Sequence, residues 1–337
     1  MIRTAPAVLD RARAYVAPAM QDAVDGMSPE LLTAIRYHLG YADADGTPVA
    51  AGGGKGVRPA LAVLSAEAAG ADAGVGVPGA VAVELVHNFS LLHDDVVDGD
   101  RERRHRTTVW ALFGVGQAII GGDALHTLAL DVLLTPATSA RARAASVLVR
   151  ATDRMIAGQA SDMAFETRLD VSIEECLAME QAKTGALLSC ASSIGALLAD
   201  ADNRLVDALV AYGAHLGVAF QAVDDLLGIW GSPDVTGKPA GSDLRQHKKA
   251  LPLLFALAVG DGADDELPRL FAGGSLSEAD VARATELVEA RGGRERTEEI
   301  ARNHLGLALD SIADVGIPTD VHAELDELAR FVVEREF

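Results

Sequence analysis

Apolar positions recur at helical spacing along nearly the whole chain. Residues 5–40 read as two amphipathic helices, the second opened by Ser28-Pro29-Glu30 with Ser28 as N-cap and Pro29 in the first turn. A Gly/Ala/Asp-rich loop over 41–54 ends in GGGKGVRPAL, and a helix over 59–70 and a Gly-rich turn over 70–79 follow. The stretch from Glu84 to Trp110, ELVHNFSLLHDDVVDGDRERRHRTTVW, starts as an apolar run with no Gly or Pro before Gly99, which predicts a helix ending in acid. Beyond Trp110, GVGQAIIGGDALHTLALDVLL predicts an apolar helix carrying Asp123. Residues 138–168 and 172–199 each read as one long helix. Within 211–252 an apolar helix ends in the pair Asp224 and Asp225. Residues 253–337 read as amphipathic helices with acidic faces and a Gly/Ser break near 273–276.

Composition narrows this pattern to an all-α chain. Alternating Val/Ile-rich runs that would feed a large sheet are scarce, and 49 % of the 337 residues are apolar, enough for a large helical core. A net charge of −20 argues against general nucleic-acid binding and suits a soluble protein. The two cysteines, Cys176 and Cys190, form no framework, and Cys190 reads as packing in an apolar helix. The N-terminus lacks the long apolar core of a signal peptide, and no uninterrupted apolar run of roughly 18 residues occurs. A cytoplasmic protein with no integral membrane segment is the expectation.

Charge is concentrated at two places. Asp94 and Asp98, four apart on a helix, share a face that Asp95 flanks, and Arg101, Arg103, Arg104 and Arg106 follow at once. Crowded carboxylates need a cation, and Mg2+ takes oxygen ligands while bridging to phosphates. The arginines can fork onto the phosphate oxygens left over, so the implied ligand is a diphosphate. The second acidic pair, Asp224 and Asp225, is likewise trailed by cations, Lys238, Lys248 and Lys249. Two such acidic helix ends suit one diphosphate clamped between facing helices. The glycines before Lys55 and Arg58 let backbone amides approach an anion, although the string is not a Walker loop. Lys183 and Thr184 stand among small apolar residues, where a lysine either snorkels outward or meets an anion.

These strings together resemble the trans-isoprenyl diphosphate synthases, the family of farnesyl and geranylgeranyl diphosphate synthases. GGGKGVRP, HNFSLLHDDVVD, DRERRHRTT, the Lys183-Thr184 pair, FQAVDD and TGKPAGSDLRQHKKALP match its motifs in order over roughly residues 50–255. The resemblance implies a single all-α domain over 1–337, with the isoprenoid synthase fold of long helices around a central cavity, as a homodimer. It implies a transferase that joins isopentenyl diphosphate to allylic diphosphates by ionisation, condensation and elimination, with three Mg2+ ions per site. Asp94, Asp98 and Asp224 would hold the metal, with Asp95 and Asp225 as neighbours that ligate or orient. Arg103, Lys183, Lys238 and Lys248 would grip the allylic diphosphate, and Lys55, Arg58, His87 and Arg104 the isopentenyl diphosphate. Thr184 and Gln221 would stabilise the cation.

In such enzymes, product length follows from what blocks the cavity below the first aspartates. Phe89 is bulky and Ser90 small, which points to a C20 product, geranylgeranyl diphosphate, over a farnesyl or longer one. Three departures stand out. Gly228 replaces the usual third aspartate of the second acidic motif, with Asp243 as a candidate substitute, and His105 and Ala250 replace a common Gly and Thr. A class I terpene cyclase would share the fold, but it would carry an NDxxSxxxE string, which is absent. A non-catalytic synthase subunit would usually lose first-motif aspartates, and here all three stand.

Overall fold

The first two helices, α1 (Ala7–Asp25) and α2 (Pro29–His38), fall within the segment read as two helices, with Pro29 opening the second. In this computed structural model, residues 5–49, 54, 56–168, 170–232, 239–260, 265–272 and 274–334 are described. The core then builds from α3 (Val57–Ala68) and α4 (Ala73–Val97). A two-residue hairpin, β1 (Glu102–Arg103) and β2 (Arg106–Thr107), leads to α5 (Val109–Phe113), α6 (Val115–Leu134) and α7 (Ser139–Glu166). Next come α8 (Ile173–Glu180), α9 (Ala186–Leu198) and α10 (Asn203–Trp230). The rest is α11 (Ser242–Arg245), α12 (Leu251–Ala258), α13 (Glu266–Ala272), α14 (Glu278–Ala290), α15 (Gly293–Ile312) and α16 (Thr319–Val333). The all-α expectation holds, with the hairpin as the only sheet among the described residues.

At the centre, α3 lies against both α4 and α9, α9 against α7 and α10, and α10 against α15. Leu61, Leu64, Leu85, Leu187 and Ile194 are fully enclosed there, and the buried Tyr212 donates its hydroxyl to the Leu325 carbonyl at 2.8 Å. Small residues set the spacing. A Cβ at Gly76 of α4 would come within 2.6 Å of the Ala62 carbonyl oxygen, and one at Gly195 of α9 within 2.1 Å of the same atom. Two helices therefore press on one carbonyl of α3. The Gly-rich turn expected over 70–79 is accordingly corrected: the turn is confined to Gly70 (φ 75) and its neighbours, and α4 is helical from Ala73, through Pro78. The second acidic pair also differs slightly, because α10 continues beyond Asp224 and Asp225 to Trp230.

Of the stretch read as one helix over 172–199, residues 173–198 are helical, but the path is broken by a π-turn at Gln181–Gly185 between α8 and α9. Such bulges cluster at functional sites. Its neighbours approach unusually closely: a Cβ at Gly158 of α7 would meet the Lys183 nitrogen at 2.3 Å, and one at Gly217 of α10 the Gly185 Cα at 2.4 Å. By length and hydropathy alone, α4, α6 and α10 could each cross a membrane, which continuous apolar runs did not indicate. Burial in the bundle accounts for much of that character in α4 and α10, where 61 % and 56 % of the apolar window is enclosed, against 33 % in α6.

Where α10 meets α15, the His215 and His304 rings lie with Nδ1 atoms 3.2 Å apart. Burial lowers both pKa values, and at His304 the charge of His215 lowers it further. The unfolded chain takes up protons as pH falls below about 6.5, while the folded pair resists them. The pair therefore costs nothing above that pH and opposes folding below it. The melting-temperature advantage of the wild type over His304→Gln should shrink between pH 7.5 and 5.5. A constant difference across that range would refute the coupling.

Candidate active site

The α4 helix separates two cavities. One, of about 330 Å3, is lined by Arg58, His87, Phe89, Ser90, Asp94, Lys183 and Thr184, with apolar walls from Met155, Ile156, Met163 and Leu187. The other, of about 420 Å3, lies toward the hairpin and is lined by His38, Asn88, Asp95, Arg103, Arg104 and Arg106. Adjacent helical residues point about 100° apart, so Asp94 and Asp95 open onto different sides.

Asp94 is half-buried, and its pKa is pushed up to about 6, chiefly by burial. Lys183 opposes the rise, while Asp98 and Asp95 add to it. Partial desolvation, with the charges of Asp100 and Asp162, also raises Asp98. The cation among them is Lys183, presented by the π-turn and bonded through Nζ to Asp162 of α7 at 2.5 Å. The sequence reading left open whether this lysine snorkels or meets an anion; its partner is a carboxylate. Asp162 lies within the helix read over 138–168, and its place opposite Lys183 depends on the pairing of α7 with the π-turn.

Asp95 sits differently from the expected flank of the metal face. It is 2 % exposed and accepts from Arg103 Nε at 2.6 Å. Arg103, expected on the allylic diphosphate, thus spends one nitrogen on holding Asp95. The hairpin explains its reach, since Arg103 pairs with Arg106 and the turn between them is Arg104 (φ 52) and His105 (φ 61). A glycine adopts the left-handed region without strain, which is what the family's residue at 105 would do.

Of the residues expected on isopentenyl diphosphate, Arg58, His87 and Arg104 feel one another's charge, although Arg58 and His87 line the first cavity and Arg104 the second. Burial lowers the Arg58 pKa, Glu84 and Asp224 oppose that, and Arg104 reinforces it. Among the described residues, the buried Arg58 Nε has no hydrogen-bond partner. A Cβ at Gly54 would lie 2.9 Å from Arg104 Nη2, so the glycine leaves that guanidinium room. His87 is held neutral, first by burial and then by Arg58 and Arg104. Lys55 and Lys238 lie outside the described residues.

From Thr184 a polar chain runs inward. Thr184 Oγ1 donates to Gln221 Oε1 at 3.0 Å, and Gln221 Nε2 donates to Asp225 Oδ1 at 3.1 Å. Asp225 is 1 % exposed, and its Oδ2 accepts from the Leu251 amide at 2.9 Å. Lys248 Nζ stands 3.7 Å from Asp225 and 3.5 Å from Asp243. Glu180, which the sequence reading missed, is buried beside Asp225; burial and then the Asp225 charge and hydrogen bond push its carboxyl well up. An acid three residues before Lys183 in an apolar helix was the available signal. Asp225, like Asp95, is thus a carboxylate held by protein donors, which accords with the orienting role, one of the two expected of each.

The donor set suits a hard cation. Asp94, Asp98 and Asp224 offer only oxygens, and among the described residues no three His, Cys, Asp or Glu side chains alone form a metal cage. Mg2+ characteristically takes one or two carboxylates and completes its shell with water and substrate phosphates.

A helical bundle with carboxylates and cations around an apolar cavity agrees with the isoprenoid synthase fold of its structural neighbours. The chain belongs to the polyprenyl synthetase family, whose profile matches residues 47–288. It is 47 % identical to a (2E,6E)-farnesyl diphosphate synthase of Mycobacterium tuberculosis over 99 % of this chain and 94 % of that protein. A geranylgeranyl diphosphate synthase of the same organism is 42 % identical over 98 % and 94 %. Among solved structures, a polyprenyl synthetase from Streptomyces coelicolor A3(2) superposes with a TM-score of 0.92 at 53 % identity, covering 97 % of this chain and 99 % of that one. A geranylgeranyl pyrophosphate synthase from Corynebacterium glutamicum, complexed with isoprenyl diphosphate and magnesium, gives 0.81 at 30 %, with 98 % of each chain covered. The protein is therefore a trans-prenyl diphosphate synthase, a transferase of a family that acts on isopentenyl and allylic diphosphates.

Proposed function

We propose that the protein makes geranylgeranyl diphosphate, with Mg2+ held by Asp94, Asp98 and Asp224, three ions per site. The observation that carries the product is the cavity floor. Phe89 is 8 % exposed and fixed between His93, edge-on at 4.9 Å, and His126, stacked at 5.2 Å. Ser90, its hydroxyl turned back to the His87 carbonyl at 2.8 Å, adds little bulk to the same cavity. A growing chain thus passes a small residue and meets a braced ring. The identities to farnesyl and geranylgeranyl synthases are close to each other, so this floor rather than overall likeness supports C20 over C15.

Mg2+ would neutralise the allylic diphosphate and make it a better leaving group. Lys183, Arg103 and Lys248 would hold that diphosphate, with Lys238 joining from outside the described residues. Arg58 and Arg104, with Lys55, would hold the isopentenyl diphosphate, and His87 would pack beside it as a neutral ring. Asp95 and Asp225 would act by fixing Arg103 and Gln221. The Thr184 and Gln221 oxygens would face the allylic cation, and the Met155 and Leu187 walls would keep water from it. The double bond of isopentenyl diphosphate attacks the cation, and the departing diphosphate takes the proton. The apolar residues Val115, Ile119 and Ile120 exposed on α6 support a homodimer. We place the protein in the cytoplasm, with no integral membrane segment, in keeping with its net charge.

The test supplies Mg2+, isopentenyl diphosphate and each C5, C10 and C15 allylic diphosphate, and sizes the dephosphorylated products. A dominant C20 alcohol is expected. Ser90→Phe should shorten the main product by one isoprene unit, and Phe89→Ala should lengthen it. A C15 product from the wild type would discard the floor argument. Hydrocarbon from the allylic substrate alone would indicate a cyclase, and silence with all primers a non-catalytic subunit.

A further inference from the structure

The second acidic segment reads Asp224-Asp225-Leu226-Leu227-Gly228, so its last position has no side chain. The space is filled. From an ideal Cβ at Gly228, Asp243 Oδ2 lies at 2.3 Å, its Cγ at 2.4 Å and Oδ1 at 2.7 Å. Standard bond lengths put the oxygens of an aspartate about 2.4 Å from its own Cβ. The Asp243 carboxylate therefore lies in the shell that the carboxylate of an aspartate at 228 would occupy, although it arrives from the following loop.

It is fixed there. The Gly241 amide donates to the Ile229 carbonyl at 3.0 Å, and Ser242 Oγ to the Gly228 carbonyl at 3.3 Å. The Lys248 amide donates to the Asp243 carbonyl at 2.9 Å, closing the loop on itself. The Asp243 side chain is 14 % exposed, and its carboxylate shares the Lys248 ammonium with Asp225. Burial lowers the Lys248 pKa, but Asp243 and Asp225 more than offset this and keep it charged.

We infer that Gly228 and Asp243 are a matched pair, in which Asp243 supplies from the loop the carboxylate that α10 lacks and so holds Lys248 in place for the diphosphate. Asp243 is thus a positioning residue, and Gly228 is the notch that admits it. No side chain fits at 228 while Asp243 keeps this place. The assignment rests on the diphosphate-binding reading of the site.

Calorimetric titration with Mg2+ and inorganic pyrophosphate reads the pair without any turnover. Asp243→Ala should weaken pyrophosphate binding at least tenfold, and Gly228→Ala should do the same by displacing Asp243. Restoring a carboxylate on α10 in the Asp243→Ala/Gly228→Asp double variant should bring affinity back to within about threefold of wild type. Amide exchange at Gly241 and Leu251 should quicken in Gly228→Ala, which shows the loop released in the free protein. Wild-type affinity in Asp243→Ala, or no recovery in a double variant that melts like the wild type, would overturn the pairing. Failure of the diphosphate-binding reading would show separately, as wild-type protein that binds no pyrophosphate in the presence of Mg2+.

Discussion

Asp94→Asn should lower prenyl transfer by about a thousandfold, near the upper end of the loss for one preorganised group at a site of developing charge. The substitution keeps the shape and removes the charge, so folding should survive. The loss should appear mostly in kcat, because the leaving group is activated less at every substrate concentration. A pH signature accompanies it. Burial, aided by Asp98 and Asp95, raises the Asp94 carboxyl to about 6, and a metal must displace that proton to bind. Mg2+ affinity in the wild type should be level above pH 7 and fall as pH drops through 6, and Asp94→Asn should flatten that fall. Turnover within tenfold of wild type would remove Asp94 from the site's machinery.

Gly158→Ala should cost both stability and activity although residue 158 carries no chemistry. The new methyl would lie 2.3 Å from the Lys183 nitrogen, 2.7 Å from its Cα and 2.9 Å from the Ala182 carbonyl carbon. All three are backbone atoms of the π-turn and cannot rotate away. Overpacking of this kind costs about 1–3 kcal/mol, set against up to about 1 kcal/mol gained from helix propensity. A drop in melting temperature of several degrees is expected. The functional loss is larger, about a hundredfold, since a displacement near 1 Å of a positioning group has that effect. Gly306→Ala is the control, because its Cβ meets nothing within 4 Å and it should be neutral or mildly stabilising. If Gly158→Ala retains wild-type kcat, the π-turn does not need α7 at this distance.

What could be read in the chain follows from range. The helices and the shared face of Asp94 and Asp98 are local consequences of a 3.6-residue repeat, and they were legible. The hydrogen-bond partners of Asp95 and Asp225 were not, because Arg103 and the Leu251 amide lie across a hairpin and a loop. Glycines misled most. Gly76 looked like part of a turn, yet it is helical and makes room for the Ala62 carbonyl of another helix, a requirement that exists only once the two helices have met. Asp162 and Glu180 were hidden for the same reason. Local spacing says which face a carboxylate occupies, and tertiary pairing says what that face meets.

The π-turn also dictates which changes in chain length this site can tolerate. A helix advances about 100° per residue, so the extra residue in Gln181–Gly185 changes the rotational phase of everything in α9 relative to α8. Removing one residue there would leave an ordinary helix with good hydrogen bonds. It would also turn either the enclosed face of α9 away from α3 or Glu180 and Cys176 away from Asp225. A point substitution on this helix alters the contacts of one side chain, whereas a single-residue deletion in the π-turn changes two interfaces at once.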